Sequence, residues 1–509
     1  MDDHEIEQKQ PLERVGTNIT IDEGHVREAM PTNHFNVLGA IAMNYSLIST
    51  PMTIGTYLTF MKGVGGSPVF VFGYILCAVF QCLVCANLAE LASAVPHPMG
   101  QAHWVAVLAP KRYARGLSYA TGALMAAGWL FWATGTFLLA SQLTFSLVSL
   151  FHRSFAASVY QVYLLLVLAG LFGLLVNTIG FRTYTWLLRF VMVLINVTTI
   201  IIFVALLVRT SPKQSASSVF LQIVNETGWN LNGLVFLLGL LPGVTALNGF
   251  DATTHLTDEV PKPSVQIPQI MLGTAGLAAI SGLPLVIVYM FCITDQAALL
   301  TPLGGQPILQ LLKDSLNLEW LTTLIMVVVV LVNWIGGCGQ ITTSSRVIWS
   351  LAMRSAFPGS AALRTIRSSH ALPINATVAA TIMPFFVGLL VFASSTVLNA
   401  VLGAAAISFF GSYSIAIACA LPRQAFIRQR QAYFSMGAFS YASVLSLAWM
   451  ALLYVILCFP LYLPATVSNM NYAVAVVAVV GVVACLNWVF YAQKHFVETT
   501  ASSPIDHSS

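Results

Sequence analysis

Along most of the chain, polar residues are confined to short intervals between long apolar runs. Twelve runs reach the roughly 20 residues that a helix needs to cross a hydrocarbon core. They lie near 35–61, 67–92, 117–149, 158–180, 184–208, 232–254, 270–294, 320–352, 373–393, 396–420, 441–463 and 471–492. The runs 117–149 and 320–352 exceed one span, so those helices are expected to tilt or to extend past the membrane. The pattern predicts an all-α polytopic membrane protein of about twelve helices.

Charge tests that count. With the N-terminus inside, the inner side receives Lys9, Arg14, Arg27, Lys111, Arg112, Arg115, Arg182, Arg189, Lys262, Arg346, Arg354, Arg364, Arg367, Arg423, Arg428, Arg430 and Lys494. The outer side receives Lys62, Arg153, Arg209, Lys213 and Lys313. Seventeen against five is the excess of inner positive charge that orients membrane proteins. An odd number of spans would scramble the alternation, so both termini are expected in the cytoplasm.

Two apolar runs carry polar interruptions. In GLVFLLGLLPGVTALNGFDATTHLTDEVPKPSVQIP, from Gly233 to Pro268, the run is broken at Pro242-Gly243 and by Thr245, Asn248 and Gly249. Asp251 follows the break, and Asp258-Glu259 closes it. Proline removes a backbone donor, so the helical ladder is expected to open there. At membrane depth, freed backbone groups are tolerated only against protein or a wet cavity. The first run, HFNVLGAIAMNYSLISTPMTIGTYL, repeats the theme with Asn44, Tyr45, Ser46, Ser49, Thr50 and Pro51. Interrupted segments at matching places in two halves point to a transporter site.

Composition agrees with that class. Only 8% of residues are charged, 57% are hydrophobic and the mean hydropathy is +0.81, against about 25% charged in a soluble domain. Residues 1–33, with eight Asp/Glu and three Lys/Arg, read as a disordered cytoplasmic tail. No cleavable signal is evident, and 493–509 reads as a short polar cytoplasmic tail. The transporter body is therefore expected over 34–492. The net charge of +4 belongs to the inner loops and does not point to nucleic acid. All eight cysteines lie in or at the ends of apolar runs and read as small buried hydrophobes. Cys82 and Cys85 form a CxxC without further ligands, so no metal and no cofactor is expected. Among the sequons only Asn225 falls in an outer loop, the one expected glycosylation site.

Three stretches resemble the amino acid–polyamine–organocation superfamily, and most closely its fungal amino acid/choline/GABA permease branch. They are GFDATTHLTDEVPKPSVQIPQIML (249–272), LAELASAVPHPMGQAHWVAVLAP (88–110) and SSRVIWSLAMRSAFP (344–358). With the span pattern, the resemblance covers roughly 35–490. Pro98-Met99-Gly100, Ser355 and Asp258 depart from the family pattern. These departures fall on the inner gate and its ion pairs, not on the fold. The resemblance implies a leucine-transporter-like fold, two inverted five-helix repeats plus two extra helices, with substrate held between broken helices one and six.

Substrate contacts are accordingly expected from Ser46, Leu47, Ile48, Ser49 and Thr50, and from Val244, Thr245, Ala246, Leu247 and Asn248. The helix restarting at Thr50-Pro51 offers N–H groups to a carboxylate. The half-helix ending near Val244-Thr245 offers carbonyls to a cation, which suits a zwitterion or an amine. For gating and coupling the candidates are Asp251, Glu90, Arg189 and His255. Asp251 is either a proton relay, gate latch or ammonium counter-ion, or a helix end wetted from the cytoplasm. Glu90 either couples directly or pairs with an inner-loop arginine. Arg189 either takes the basic position that some proton-coupled relatives place beside the fifth span or snorkels to the surface. His255, at i+4 from Asp251, is either its proton partner or a satisfied interface histidine. Tyr45, Trp129, Trp132, Phe250 and Tyr413 are candidates for a cation-binding aromatic wall or for packing.

These readings converge on a proton-coupled permease for a small amino acid or related amine (amino acid, GABA or choline-like), by default in the plasma membrane. Its expected partners are that zwitterionic or cationic small molecule, protons and the lipid bilayer. The rival is a nutrient sensor on the same fold, which the intact break motifs disfavour. No nucleophile–base or metal motif points to an enzyme, and no continuous polar pore points to a channel.

Overall fold

The structure is a computed structural model, described here for residues 36–61, 63–366, 372–393, 397–430, 432–437, 441–466 and 469–497. The expected tail over 1–33, Lys62, Arg367 and residues 498–509 lie outside the described residues. Among the described residues, twelve apolar helical segments follow one another. The first span runs Val37–Ile48, restarts at Thr50–Thr53 and continues as a 3₁₀ helix to Met61. The next four are Gly66–Ala94, Lys111–Phe151, Val159–Thr178 and Phe181–Arg209. The sixth consists of Asn232–Leu238, Leu241–Ala246 and a 3₁₀ segment, Ala252–Glu259. The remainder are Pro263–Cys292, Glu319–Met353, Ile374–Gly388 extended by Leu389–Phe392, Val397–Ala420, Ala442–Ile456 and Ala473–Asn487. Ten of these are long and apolar enough to cross a membrane, and the sixth and eleventh are shorter.

The packing shows an internal repeat. The first span packs on the fifth and seventh, and the sixth packs on the tenth and second. The third span packs on the ninth and tenth, and the eighth packs on the fourth and fifth. The second meets the seventh, the third meets the eighth and the fourth meets the ninth. Exchanging each span with the one five places on leaves this set unchanged. Because five is odd, the second repeat crosses the membrane in the opposite sense to the first. The eleventh and twelfth spans are additions against the second, third and tenth.

Spans facing lipid carry their apolar residues outward, as bilayer solvation permits: Leu164, Leu168, Val479 and Val482 are each more than half exposed. The first, third and tenth are the most enclosed. The long third span begins at Lys111, where a connecting helix, Gln101–Leu108, packs along it. That helix and another between the seventh and eighth spans, Pro307–Leu316, are elements the span pattern did not predict. The chain also stays packed beyond Ala492. Arg115 Nε donates to the Phe496 carbonyl at 2.8 Å, Val497 N donates to the Arg354 carbonyl at 3.0 Å, and Phe496 is buried. These packed residues lie beyond the expected boundary at 492.

Candidate functional site

Both interruptions are real breaks. Ser49 lies in the left-handed region (φ 40°, ψ 42°) between the two helical pieces of the first span. Pro51 has no N–H, so the Leu47 carbonyl loses its i+4 donor. The Ile48 carbonyl accepts from Thr53 Oγ1 at 3.3 Å instead. In the sixth span the helix is interrupted just before Pro242: Asn232–Leu238 ends, Gly239 and Leu240 form a turn, and Pro242 sits in the first turn of the restarted helix Leu241–Ala246. The chain leaves the helix a second time at Leu247–Gly249, and Gly249 has φ +91°. A Cβ there would come within 2.1 Å of the Trp132 ring. The break needs glycine both for its backbone angle and for the close approach of the third span.

The breaks meet. Thr50 Oγ1 donates to the Ala246 carbonyl at 2.6 Å, and Gln81 Nε2 donates to the Val244 carbonyl at 3.5 Å. Two orphan carbonyls at the end of the short helix are thereby capped. Asn44 Nδ2 reaches the Phe250 carbonyl at 3.0 Å from the first span. Beside this joint lies a pocket of about 420 Å³ including its mouth. It is lined by Leu47, Ile48, Ser49, Thr53 and Tyr57 of the first span and by Trp132, Gly135, Thr136 and Leu139 of the third. Thr245, Asn333, Gly336 and Leu402 complete it. Its interior admits little more than a water molecule, so this conformation is nearly closed around it.

Of the ten expected contact residues, Leu47, Ile48, Ser49 and Thr245 line the pocket. Ser46, Thr50, Val244, Ala246, Leu247 and Asn248 are buried around it without lining it. The hydroxyls of Thr50 and Thr245 are spent on backbone carbonyls, Thr245 on Leu241 at 2.8 Å. Among the aromatic candidates, Trp132 lines the pocket and Trp129 stacks behind it at 5.4 Å. Tyr45 turns away to Ser281 Oγ at 2.9 Å, and Tyr57, not singled out in the sequence, takes a place in the wall.

On the inner side of the break, Asp251 is fully buried. That excludes a wetted helix end in this conformation. Its carboxylate accepts from Tyr413 Oη at 2.7 Å and Gln101 Nε2 at 3.0 Å, and His255 Nε2 stands 3.6 Å away. His255 Nδ1 lies 3.2 Å from the Pro98 carbonyl. The sequence paired Asp251 with His255 by spacing. It gave no sign of Tyr413 or Gln101 as partners, because both come from distant segments.

Deeper inside, Glu259 Oε1 accepts from Arg346 Nε at 2.8 Å, with both side chains about 2% exposed. The Arg346 guanidinium lies 5.4 Å from the Phe181 ring centre. Glu90 bonds no arginine among the described residues. Its carboxylate accepts from Ser435 Oγ at 2.8 Å and Met436 N at 2.9 Å, fastening the segment between the tenth and eleventh spans. Arg189 donates to Asn36 Oδ1 at 2.8 Å. Asn36 caps the first helix ten residues before Ser46, about 15 Å along the axis, so the Arg189 guanidinium points away from the break, although the neighbouring Leu188 carbonyl accepts from Ser46 Oγ at 3.4 Å. Asn225 is exposed in the loop between the fifth and sixth spans, its Nδ2 turned to the Trp229 carbonyl at 2.8 Å.

A family model described as amino acid permease matches residues 35–482. The chain belongs to the amino acid permease family. It is similar to the choline transporter of Saccharomyces cerevisiae, 26% identical over 97% of this chain and 87% of that protein. It is similar to the swainsonine transporter swnT of Arthroderma benhamiae, 29% identical over 91% of each. The polyamine transporter TPO5 of S. cerevisiae is 26% identical over 90% of this chain and 76% of that protein. The amino acid permease is thus a multi-pass membrane transporter for a small molecule, not an enzyme.

Proposed function

We propose that this permease is a secondary active transporter that carries a small amino acid or related amine together with protons. The observation that carries the reading is the joint between Thr50 and Ala246, which sets two broken helices around one narrow pocket. The Leu47 carbonyl, left without its helical donor by Pro51 beside the pocket, offers an acceptor that suits the ammonium group of a small zwitterion or amine. Trp132 and Tyr57 add aromatic faces for an ammonium group. The names of the similar proteins, choline and polyamine transporters among them, share amine chemistry with that pocket. Asp251 and His255, buried together between pocket and inner gate, are the groups for a transported proton. The plasma membrane, with both termini cytoplasmic, is the setting that the loop charges and the family resemblance support.

Uptake of radiolabelled glycine, GABA, choline and putrescine, with and without an imposed proton gradient, tests the reading. Accumulation of one of them that collapses with the gradient is the expected result. Uptake of none, or accumulation indifferent to the gradient, would defeat it.

A further inference from the structure

Gln340, in the middle of the eighth span, is fully buried, and neither Oε1 nor Nε2 has a hydrogen-bond partner. A buried amide with both ends unpaired is expensive, and native proteins keep few of them. Its position gives it a use. At about 100° per residue, Gln340 lies about 40° round the helix from Gly336 and about 60° short of Gly337. Gly336 faces the first span: a Cβ on it would lie 3.1 Å from the Ser46 carbonyl oxygen. Gly337 faces the third span: a Cβ there would strike the Phe137 ring at 2.3 Å. Gln340 therefore points between the two spans that supply most of the pocket wall. It shares its stripe with Asn333 and Gly336, both of which line the pocket. It sits one turn, about 6 Å, further along the helix than Gly336, in the direction of the Arg346–Glu259 pair.

We infer that Gln340 forms the inner floor of the substrate pocket and reads the polar end of the substrate. The inference rests on the proposed pocket. An amide with a free donor and a free acceptor matches a group that both accepts and donates: the carboxylate-and-ammonium head of an amino acid, or the hydroxyl of an amino alcohol. Two further buried amide oxygens at the break, Asn44 Oδ1 and Asn248 Oδ1, are also without partners, so the layer is rich in unspent acceptors. In the nearly closed conformation seen here, substrate or water completes these bonds. A site that hydrogen-bonds its ligand rejects an analogue lacking the group far more strongly than an apolar site does.

Gln340→Met keeps the length of the side chain and removes both polar atoms. Detergent-purified protein is melted alone and with glycine, GABA, choline, butylamine or tetramethylammonium. The last two lack the carboxylate of GABA and the hydroxyl of choline. The expected result is an apo melting temperature unchanged or raised, because an unpaired buried amide has been removed. The preference for GABA over butylamine, or for choline over tetramethylammonium, should fall at least tenfold in half-saturating concentration. Gln340→Leu should behave alike. A lower apo melting temperature in both variants would show that Gln340 serves packing, and would overturn the inference. Wild-type discrimination in either variant would overturn it too, while leaving the pocket intact if Thr136→Trp still abolishes binding. If Thr136→Trp also binds normally, or no compound stabilises the wild type, the pocket itself is misplaced and the inference falls with it.

Discussion

At the scale of single residues, the account turns on groups whose burial demands a reason. Asp251 is one. Asp251→Asn keeps the volume and an acceptor for Tyr413, but its amide nitrogen cannot accept from Gln101 Nε2 and it cannot ionise. Concentrative uptake should collapse while surface expression, measured by biotinylation, stays normal. Undiminished accumulation at every pH would remove Asp251 from the coupling path. Glu259 and Arg346 are another case. Removing one partner of a buried pair costs about 3–5 kcal/mol because the other charge is stranded. Glu259→Gln should therefore lower the melting temperature clearly, and adding Arg346→Met should recover much of the loss. An unchanged melting temperature for the single variant would mean the pair is open in the working protein. Asp251 was visible in the sequence because a carboxylate at membrane depth is too costly to keep without a partner or a role, and it stands beside an interrupted apolar run. The Glu259–Arg346 contact was not, because 87 residues separate its halves and each alone reads as an inner-loop charge. Arg189 left two readings open because its depth in the fifth span says nothing of the direction of its long side chain, which runs to Asn36.

At the scale of elements, the two breaks were legible and their exact form was not. Pro51 marked the first break correctly, since Ser49 turns left-handed two residues before it. Pro242 marked the first of two interruptions in the sixth span, the turn at Gly239–Leu240 before the helix restarts. The second opens at Gly249, fixed by its contact with Trp132. The unbroken third and eighth spans supply Gly135, Thr136, Leu139, Asn333 and Gly336 to the pocket. Nothing interrupts those helices, so no polar break marks them in the sequence. The glycines at 336, 337 and 339 were a signal of close helix approach that a packing argument would have caught. Thr136→Trp fills the pocket from a regular helix without straining either break. It should abolish amine-dependent thermal stabilisation while the apo melting temperature stays within a few degrees; normal binding would place the site elsewhere. Thr50→Val removes the hydroxyl that caps Ala246. A hydrogen bond of this kind contributes about 1 kcal/mol, so a modest fall in melting temperature with weaker amine binding is expected. Full binding in that variant would separate the two breaks functionally.

At the scale of the whole molecule, span count and boundaries followed from periodicity and charge, because lipid imposes both. The swap symmetry among the span pairs described above is the property that alternating access requires: two repeats of opposite sense can exchange roles around one site. The topology predicts that Asn225→Cys is labelled by an impermeant maleimide in intact cells, and that Arg428→Cys is labelled only after permeabilisation. The reverse pattern would invert the chain in the membrane. The central claim is that amine and proton cross together through the pocket between the broken helices. The most direct test is purified permease in sealed liposomes containing a pH-sensitive dye, without an imposed proton gradient. Adding outside the amine that best stabilises the protein should acidify the lumen in step with its uptake in the wild type. It should leave the dye unchanged in Thr136→Trp. Amine entry without acidification, or equal acidification in both proteins, would contradict the account.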